Sequence, residues 1–513
     1  MTREELLALA ESMRQLIATR DAEIALLRAS LAESQRRAAA LEHQVELLRR
    51  SVYGQKSERI VAEQGLLSFS GAPPAPPPPP PPAPPAEEPA PAAGHGRHRL
   101  PASLPRERIV HDLPEDERTC KDCGCGLSCI GEDSCELLDY VPSSLRVKEL
   151  VRKKYACRKC GSHVVTAAPH DQLIDRGRPT AGVIAQVIVS KHEDHLPLNR
   201  LERIFARQGV EIARSTLMDW LRWASSMLAP IVAAMKERLL LSRSIHGDDT
   251  PVPVLDRLLD KTRTGHLWVY VGDRDHPFRV YDYSPDRRGE HPQAFLAGWA
   301  GFFHADAYGG FNALFETGRV HEVACWAHAR RKFHEARSAD AEAAHGALAR
   351  IKILYAIEEK ARELDDDARG DLRKRESVPI LGEFETWLRR IQGSVLPRGP
   401  IGEAVGYALR QWAALNRYTE HGFLDIDNNP AERELRAVAV GRKNWEFAGS
   451  DEGGRRAAIL YSMVASCKAL KVEPWAYLRD VLERVGSTPQ SRIAELLPDQ
   501  WSAASTERAA AKT

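Results

Sequence analysis

Three acidic residues, Asp248, Asp306 and Glu432, have the type and setting for catalysis in this chain of 513 residues. Carboxylate oxygens are the ligands that hard divalent cations prefer, and Mg²⁺ takes only one or two from protein while water and phosphate complete its shell. Two such ions about 3.5–4 Å apart can activate an attacking oxygen and stabilise a leaving one in phosphodiester displacement. Mg²⁺ or Mn²⁺ is therefore the expected active-site cofactor. A lone Asp at a strand end is more often a cap or a salt-bridge partner, so the case rests on the elements that carry the three.

Those elements read as an α/β core. Arg243–Leu255 has strand character, followed by strands at Gly265–Gly272 and Phe278–Tyr283, a helix at Pro292–Trp299, a strand at Gly301–Gly310 and a fifth at His321–His328 that runs into a basic helix, Arg330–Glu335. Three antiparallel strands, a helix and then further strand and helix is the order of a ribonuclease-H-like core, which sets one carboxylate on its first strand and one on its fourth. These are Asp248 and Asp306. The third belongs on a later helix. In Asp427-Asn-Asn-Pro-Ala-Glu432, Asn429 suits an N-cap and Pro430 the first helical position, so Glu432 falls in the first turn. Glu434 points elsewhere. Asp249 adjoins Asp248; strand alternation puts their side chains on opposite faces, and Asp248 is preferred as the metal ligand. Arg433, Arg436, Arg442 and Lys443 lie close enough in sequence to neutralise DNA strands. The charged stretch 336–423 reads as a helical insertion. Cys325 and His328 raise a second metal pair, but with no further partner in sequence His328 is expected in the core or facing phosphate.

A second constellation is made of cysteines. Seven of the nine lie between residues 120 and 160. Cys120-x-x-Cys123 and Cys157-x-x-Cys160 can each turn two thiolates toward one ion, and together complete tetrahedral zinc coordination. Gly124 and Gly161 follow the second cysteine of each pair, as tight turns prefer. Cys125, Cys129 and Cys135 are left over. A closed four-thiolate zinc ribbon has no open position, so its role is folding and DNA contact.

Between ribbon and core the pattern is helical. A short helix at Pro197–Phe205, a turn at Gln208-Gly209-Val210 and a helix capped by Ser215 have the form of a helix-turn-helix. Arg200, Arg203, Arg207 and Arg214 are its candidate phosphate contacts.

The N-terminus carries heptads. Ala10, Ile17, Ile24, Leu31, Ala38, Val45 and Val52 occupy a, while Leu6, Met13, Leu27, Leu41 and Leu48 occupy d, with Arg20 and Ser34 the exceptions. β-Branched a positions with Leu at d favour a parallel two-stranded coil, so a homodimer or larger assembly is expected through this zipper. A Pro/Ala tract, Gly71–Gly96, then forms an extended spacer. The net charge is only +1, so basic surface must be local. No apolar run approaches the ~20 residues of a membrane span, and the N-terminus lacks a signal-peptide core. A cytoplasmic, nucleoid-associated protein is expected.

Several long motifs, in one order, resemble the transposase of the insertion sequence 66 family over nearly the whole chain. They are LRRSVYGQKSER (Leu48–Arg59), the cysteine pairs with GEDSCELLDYVP between them, HLPLNRLERIFARQGVEIARSTLMDW, HGDDTPVPVL, FHADAYGGFNALF, ACWAHARRKFHEA, and DNNPAERELRAVAVGRKNWEFAGSDEGGRRAAILYSMVASCKAL, with the tail VEPWAYLRDVLERV. The resemblance implies an acidic-triad enzyme that binds element ends, cleaves them and transfers 3′-hydroxyl strands into target DNA. It carries the triad onto Asp248, Asp306 and Glu432, and implies double-stranded DNA as partner with possible helper proteins. The rival is a non-catalytic, domesticated DNA-binding or dimerising relative; its signature, a lost acid, is not seen.

The expected architecture is multidomain α+β: a coiled coil over 1–60, a linker over 61–105, a zinc-binding module over 106–170, a helical DNA-binding region over 171–240, a ribonuclease-H-like catalytic core over 241–465 with its helical insertion, and a C-terminal helical segment over 466–513.

Overall fold

The computed structural model describes residues 179–256 and 261–501, with residues 173–174, two short strands between 154 and 166, and scattered helical positions between 11 and 38. All of these belong to one of the chain's two units, made of Met1–Gln64 and Leu150–Thr513. Cys120, Cys123, Cys157 and Cys160, the Pro-rich tract and most heptad positions lie outside the described residues. The described heptad residues Met13, Ile24, Leu27 and Leu31 are exposed. Strands β1 (Lys154–Ala156) and β2 (Val164–Thr166) pair antiparallel, Tyr155 opposite Val165, and bracket the second cysteine pair in sequence.

Three helices follow: α1 (Ala181–His192), α2 (Leu198–Arg207) and α3 (Arg214–Leu239). In α1, Ala181, Ile184, Ala185 and Ile188 recur at helical spacing and are fully buried. Gly209 takes a positive φ of 82° between α2 and α3, which a side chain would strain. Two expectations need correcting. Ser215 is not a cap: α3 starts at Arg214 after Ala213, which makes no side-chain cap bond. The helix is also longer than the capped segment suggested, continuing through Pro230 because its buried stripe, Leu217 to Leu239, is continuous.

The core is a mixed five-stranded sheet. Its strands are β3 (Ser244–Leu255), β4 (Thr262–Val271), β5 (Arg279–Ser284), β6 (Gly301–Ala305) and β7 (Val320–Ala324), in the spatial order β5-β4-β3-β6-β7. The first three pair antiparallel; β3–β6 and β6–β7 are parallel. Central β3 pairs with β6 only from Ser244 to His246. Beyond that its β6 side is an edge, which is where a strand tolerates residues without an N–H such as Pro251 and Pro253. The freed Pro253 carbonyl accepts instead from Ala448 N–H at 2.8 Å.

Several boundaries differ from the sequence reading. The fourth strand stops at Ala305 rather than Gly310, because Ala307 takes φ 63° and the chain turns through a 3₁₀ segment, Gly309–Phe311. Helix α4 (Glu290–Phe295) is shorter and earlier than expected, ended at a turn where Gly298 has φ 81°. After α5 (Asn312–Glu316), β7 ends at Ala324, and Cys325 through His328 are not strand: α6 (Trp326–Glu335) begins there.

The stretch after α6 is helical: α7 (Ala341–Lys360), α8 (Asp366–Leu372), a π turn over Arg373–Ser377, α9 (Val378–Gln392), α10 (Pro400–Arg410) and α11 (Trp412–Asn416). Its core is continuous with β7 and α6 through Val323, Trp326, Phe333, Phe384 and Trp412. Trp326 stacks near Phe384 at 5.9 Å between ring centres. Arg373, fully buried, pairs with Glu358 (2.6 and 2.8 Å) and donates to the carbonyls of Tyr418, His421 and Leu424. These contacts fix the segment that leads into the helix bearing Glu432.

That helix, α12 (Asn429–Trp445), packs on the sheet with α13 (Asp451–Ala469), burying Leu435, Val438, Ala458 and Tyr461 against Val252, Val269 and Tyr281. α13 also covers the edge strand β5. Tyr281 N–H donates to Ser462 Oγ (2.8 Å) and Arg279 N–H to Ser466 Oγ (3.0 Å), so two hydroxyls take backbone donors that would otherwise invite another strand. α14 (Pro474–Arg484) closes the fold on α1, with Trp475 Nε1 donating to Gly182 O at 3.0 Å.

Candidate active site

Register brings the first two acids together. His246 on β3 pairs with His304 on β6. Two residues beyond each of these stand Asp248, still on β3, and Asp306, just past the end of β6, where the strands part. The stacked imidazoles of His246 and His304, 4.0 Å between centres, form the floor beneath.

Asn428 brings the third. It is fully buried. Its Nδ2 donates to Gly247 O (2.9 Å), its Oδ1 bonds His246 Nδ1 (3.1 Å), and its backbone N–H donates to Cys325 Sγ (3.2 Å). Its own carbonyl accepts from Ala431 and Glu432 N–H, opening α12. One side chain thus joins the residue before Asp248 to the turn that presents Glu432. Asn428, not Asn429, is the cap position, so Asn429 and Pro430 each sit one place deeper, while Glu432 stays in the first turn. The two adjacent asparagines are indistinguishable in sequence; the β3 contact selects the first.

Asp248 and Asp249 have opposite surroundings. Asp249 is buried and saturated: its Oδ2 accepts from His266 Nδ1 (2.6 Å) and its Oδ1 from Arg287 Nε (2.9 Å). Among the described residues no cation pairs with Asp248. Burial pushes its carboxyl up to about 7; the Asp249 N–H at 2.8 Å offsets this in part, and the charges of Asp306, Asp249 and Glu432 add to it. A carboxyl held up by burial and further by neighbouring carboxylates marks a place where a cation would lower the energy. Asp306 is half-buried, with Oδ1 accepting from Tyr308 N–H (3.1 Å) and Oδ2 3.8 Å from Arg287. Glu432 Oε2 lies 3.9 Å from Arg331.

Arg287, His266 and Asn428 were missed in the sequence, where nothing in their local pattern marks them. His328 was read as lacking a partner; the start of α6 after Cys325 instead turns it toward Glu432, with Nδ1 3.6 Å from Oε1. Cys325, His328 and Glu432 form a cluster whose ligand atoms lie within 4.8 Å of one another. The Cys325 thiol is fully buried, and burial pushes it up to about 12.

Among the candidate DNA contacts, Arg200, Arg203, Arg207 and Arg214 are exposed on α2 and at the start of α3, with Arg214 3.8 Å from Glu202. Arg433, Arg436 and Lys443 are exposed on α12. Arg442 is tied to β3, donating to Pro251 O and, at 3.3 Å, to Thr250 Oγ1. Glu434 faces Arg279 instead of the acids, 3.5 Å away. No helix among the described residues is long and apolar enough to cross a membrane.

A mixed sheet packed under helices that expose arginines belongs, by comparison with known proteins, to a DNA-binding transposase. A model described as "Transposase IS66 family" matches residues 176–456, "zinc-finger binding domain of transposase IS66" matches 117–161, "IS66 C-terminal element" matches 462–498, and "Transposase C of IS166 homeodomain" matches 40–109. The chain belongs to the IS66 transposase family. Similar proteins of Sinorhizobium fredii (strain NBRC 101917 / NGR234) include "Uncharacterized protein y4hP", 33% identical over 91% of this chain and 89% of its own length, and "Uncharacterized protein y4qI", 32% identical over 94% and 92%. The family implies a divalent metal in the core and zinc in the N-terminal module.

Proposed function

We propose that the chain binds insertion-sequence ends, cleaves them and joins their 3′-hydroxyls to target DNA at a ribonuclease-H-like site formed by Asp248, Asp306 and Glu432. The observation that carries this is the register: the His246–His304 pairing sets Asp248 and Asp306 side by side, and Asn428 ties the Glu432 helix to the same strand. The sheet order β5-β4-β3-β6-β7, three antiparallel strands followed by two parallel ones, supports the ribonuclease-H-like reading. The donor set fits hard divalent cations, Mg²⁺ or Mn²⁺. When bound, they supply activation of the attacking oxygen and stabilisation of the leaving one.

The chain's own residues do the rest. Asp248 lies on β3 and Asp306 directly follows the end of the parallel strand β6. Asp249 anchors His266 and Arg287 instead of serving as a ligand, and Arg287 stays beside Asp306 with its ring neighbour Tyr308 at 4.1 Å. Arg433, Arg436 and Lys443 face phosphates near the joining site; Arg200, Arg203, Arg207 and Arg214 face those of a bound end. Arg442 serves chiefly to hold α12 on β3. In this reading Cys120, Cys123, Cys157 and Cys160 hold a structural zinc, the N-terminal heptads bring two or more chains together, and the protein works on DNA in the cytoplasm.

The test is strand transfer with labelled element ends in Mg²⁺, comparing wild type with Asp306→Asn and Glu432→Gln. Loss in both variants is expected, and equal activity in all three would remove the triad.

A further inference from the structure

Two polar atoms at the edge of the acidic site are buried and make no hydrogen bond among the described residues: His328 Nδ1 and Glu432 Oε1. They face each other at 3.6 Å. That is too long for an N–H···O bond, which runs about 2.7–3.2 Å. It suits two ligands of one ion: bonds of about 2.0–2.2 Å to nitrogen and oxygen leave the two donors roughly 3–3.5 Å apart. The other oxygen of Glu432 has its own neighbour, Arg331 at 3.9 Å, so Oε1 is the one turned to the imidazole.

Cys325 lies in the same cluster but is otherwise engaged. Its sulfur accepts the backbone N–H groups of Asn428, at 3.2 Å, and of His328. These bonds hold the first turn of α6 against the first turn of α12. Cys325 is thus a positioning residue that fixes the His328–Glu432 separation, and the donors left for an ion are one nitrogen and one oxygen.

Resting on the acidic-triad reading, we propose that His328 supplies Nδ1 as a ligand to the divalent cation held by Glu432, making that half of the centre a mixed nitrogen–oxygen site. Imidazole is a poorer partner for Mg²⁺ than for softer first-row ions, whereas carboxylates suit both Mg²⁺ and Mn²⁺. The site therefore favours Mn²⁺ over Mg²⁺ more strongly than three carboxylates would.

The test uses full-length, zinc-loaded protein titrated with Mn²⁺. Electron paramagnetic resonance counts free ion, and electron spin echo modulation detects a nitrogen bonded to bound Mn²⁺. Wild type is expected to show nitrogen modulation. His328→Gln should lose it and bind Mn²⁺ about tenfold or more weakly, with a smaller loss for Mg²⁺ measured by competition. Mn²⁺ bound to wild type without nitrogen modulation overturns the assignment whether or not the variant folds, and so does unchanged modulation in His328→Gln. In either case the carboxylate site stands if Asp248→Asn still abolishes Mn²⁺ binding. Wild type that binds no Mn²⁺ at all removes the triad reading, and this inference with it.

Discussion

Two charged centres lie within one compact unit and are built on opposite rules. Arg373 is fully buried, yet its guanidinium is answered by the Glu358 carboxylate and four backbone carbonyls. Asp248 is only partly buried, yet its nearest ionic neighbours are other acids and its carboxyl is pushed up to about 7. The first arrangement minimises free energy in the folded chain alone. The second leaves a half-buried carboxylate whose charge a proton or a bound cation would relieve. A satisfied buried charge therefore reads as architecture here, and an unsatisfied acidic group as a site. Asp249 shows the same contrast at one residue's distance: bonded to His266 and Arg287, it belongs with the architecture.

Substitutions that exchange the consequences of the two centres break this comparison most directly. Asp306→Asn should lower strand transfer by roughly a thousandfold or more, equivalent to about 4 kcal/mol in the barrier, while leaving the melting temperature of the metal-free protein unchanged or higher. Loss of activity with an equal loss of stability would place Asp306 with the architecture. Arg373→Met should do the reverse. It leaves Glu358 and four carbonyls without their partner, at a cost of about 3–5 kcal/mol, read as a lower midpoint in urea. Its activity should fall only as far as the folded fraction does.

Asp248→Asn sharpens the comparison through pH. The folded carboxyl titrates near 7, above the ordinary Asp value of about 3.9. Between those values the folded state holds a proton that the unfolded chain has released, so stability falls as pH rises through that window and levels off above it. The metal-free wild type should thus melt lower at pH 8 than Asp248→Asn, the two converging near pH 4. Mg²⁺ should raise the wild-type melting temperature at pH 8 and leave the variant's little changed. Identical profiles would show that Asp248 carries no uncompensated charge.

The smallest effect belongs to the covered sheet edge. Ser462→Ala removes the acceptor of the Tyr281 N–H, an unmade buried bond that costs about 1–3 kcal/mol. Thermal melting should report it, with strand transfer per folded molecule unchanged.

Much of the candidate site is legible in sequence because its signals are local. Asp248 lies in a run of strand residues, Asp306 follows Gly301-Phe-Phe-His-Ala, and Pro430 announces the helix whose first turn holds Glu432. Strand boundaries were less legible. The end of β7 before Cys325 coincides with contacts to a distant segment, the Asn428 N–H on Cys325 Sγ and the Trp326 N–H on Ile426 O, about 100 residues away, and no window of sequence contains both.

The sequence by itself determined the element order, the three candidate acids and the alternation that separates Asp248 from Asp249, since side-chain period and helix-start chemistry act over a few residues. The tertiary structure alone decided which asparagine joins α12 to β3, that Arg287 stands beside Asp306, that Arg442 is bound to the β3 backbone, and that His328 faces Glu432. Each of these depends on a contact between segments far apart in the chain, fixed only when the sheet register and the helical insertion are packed together.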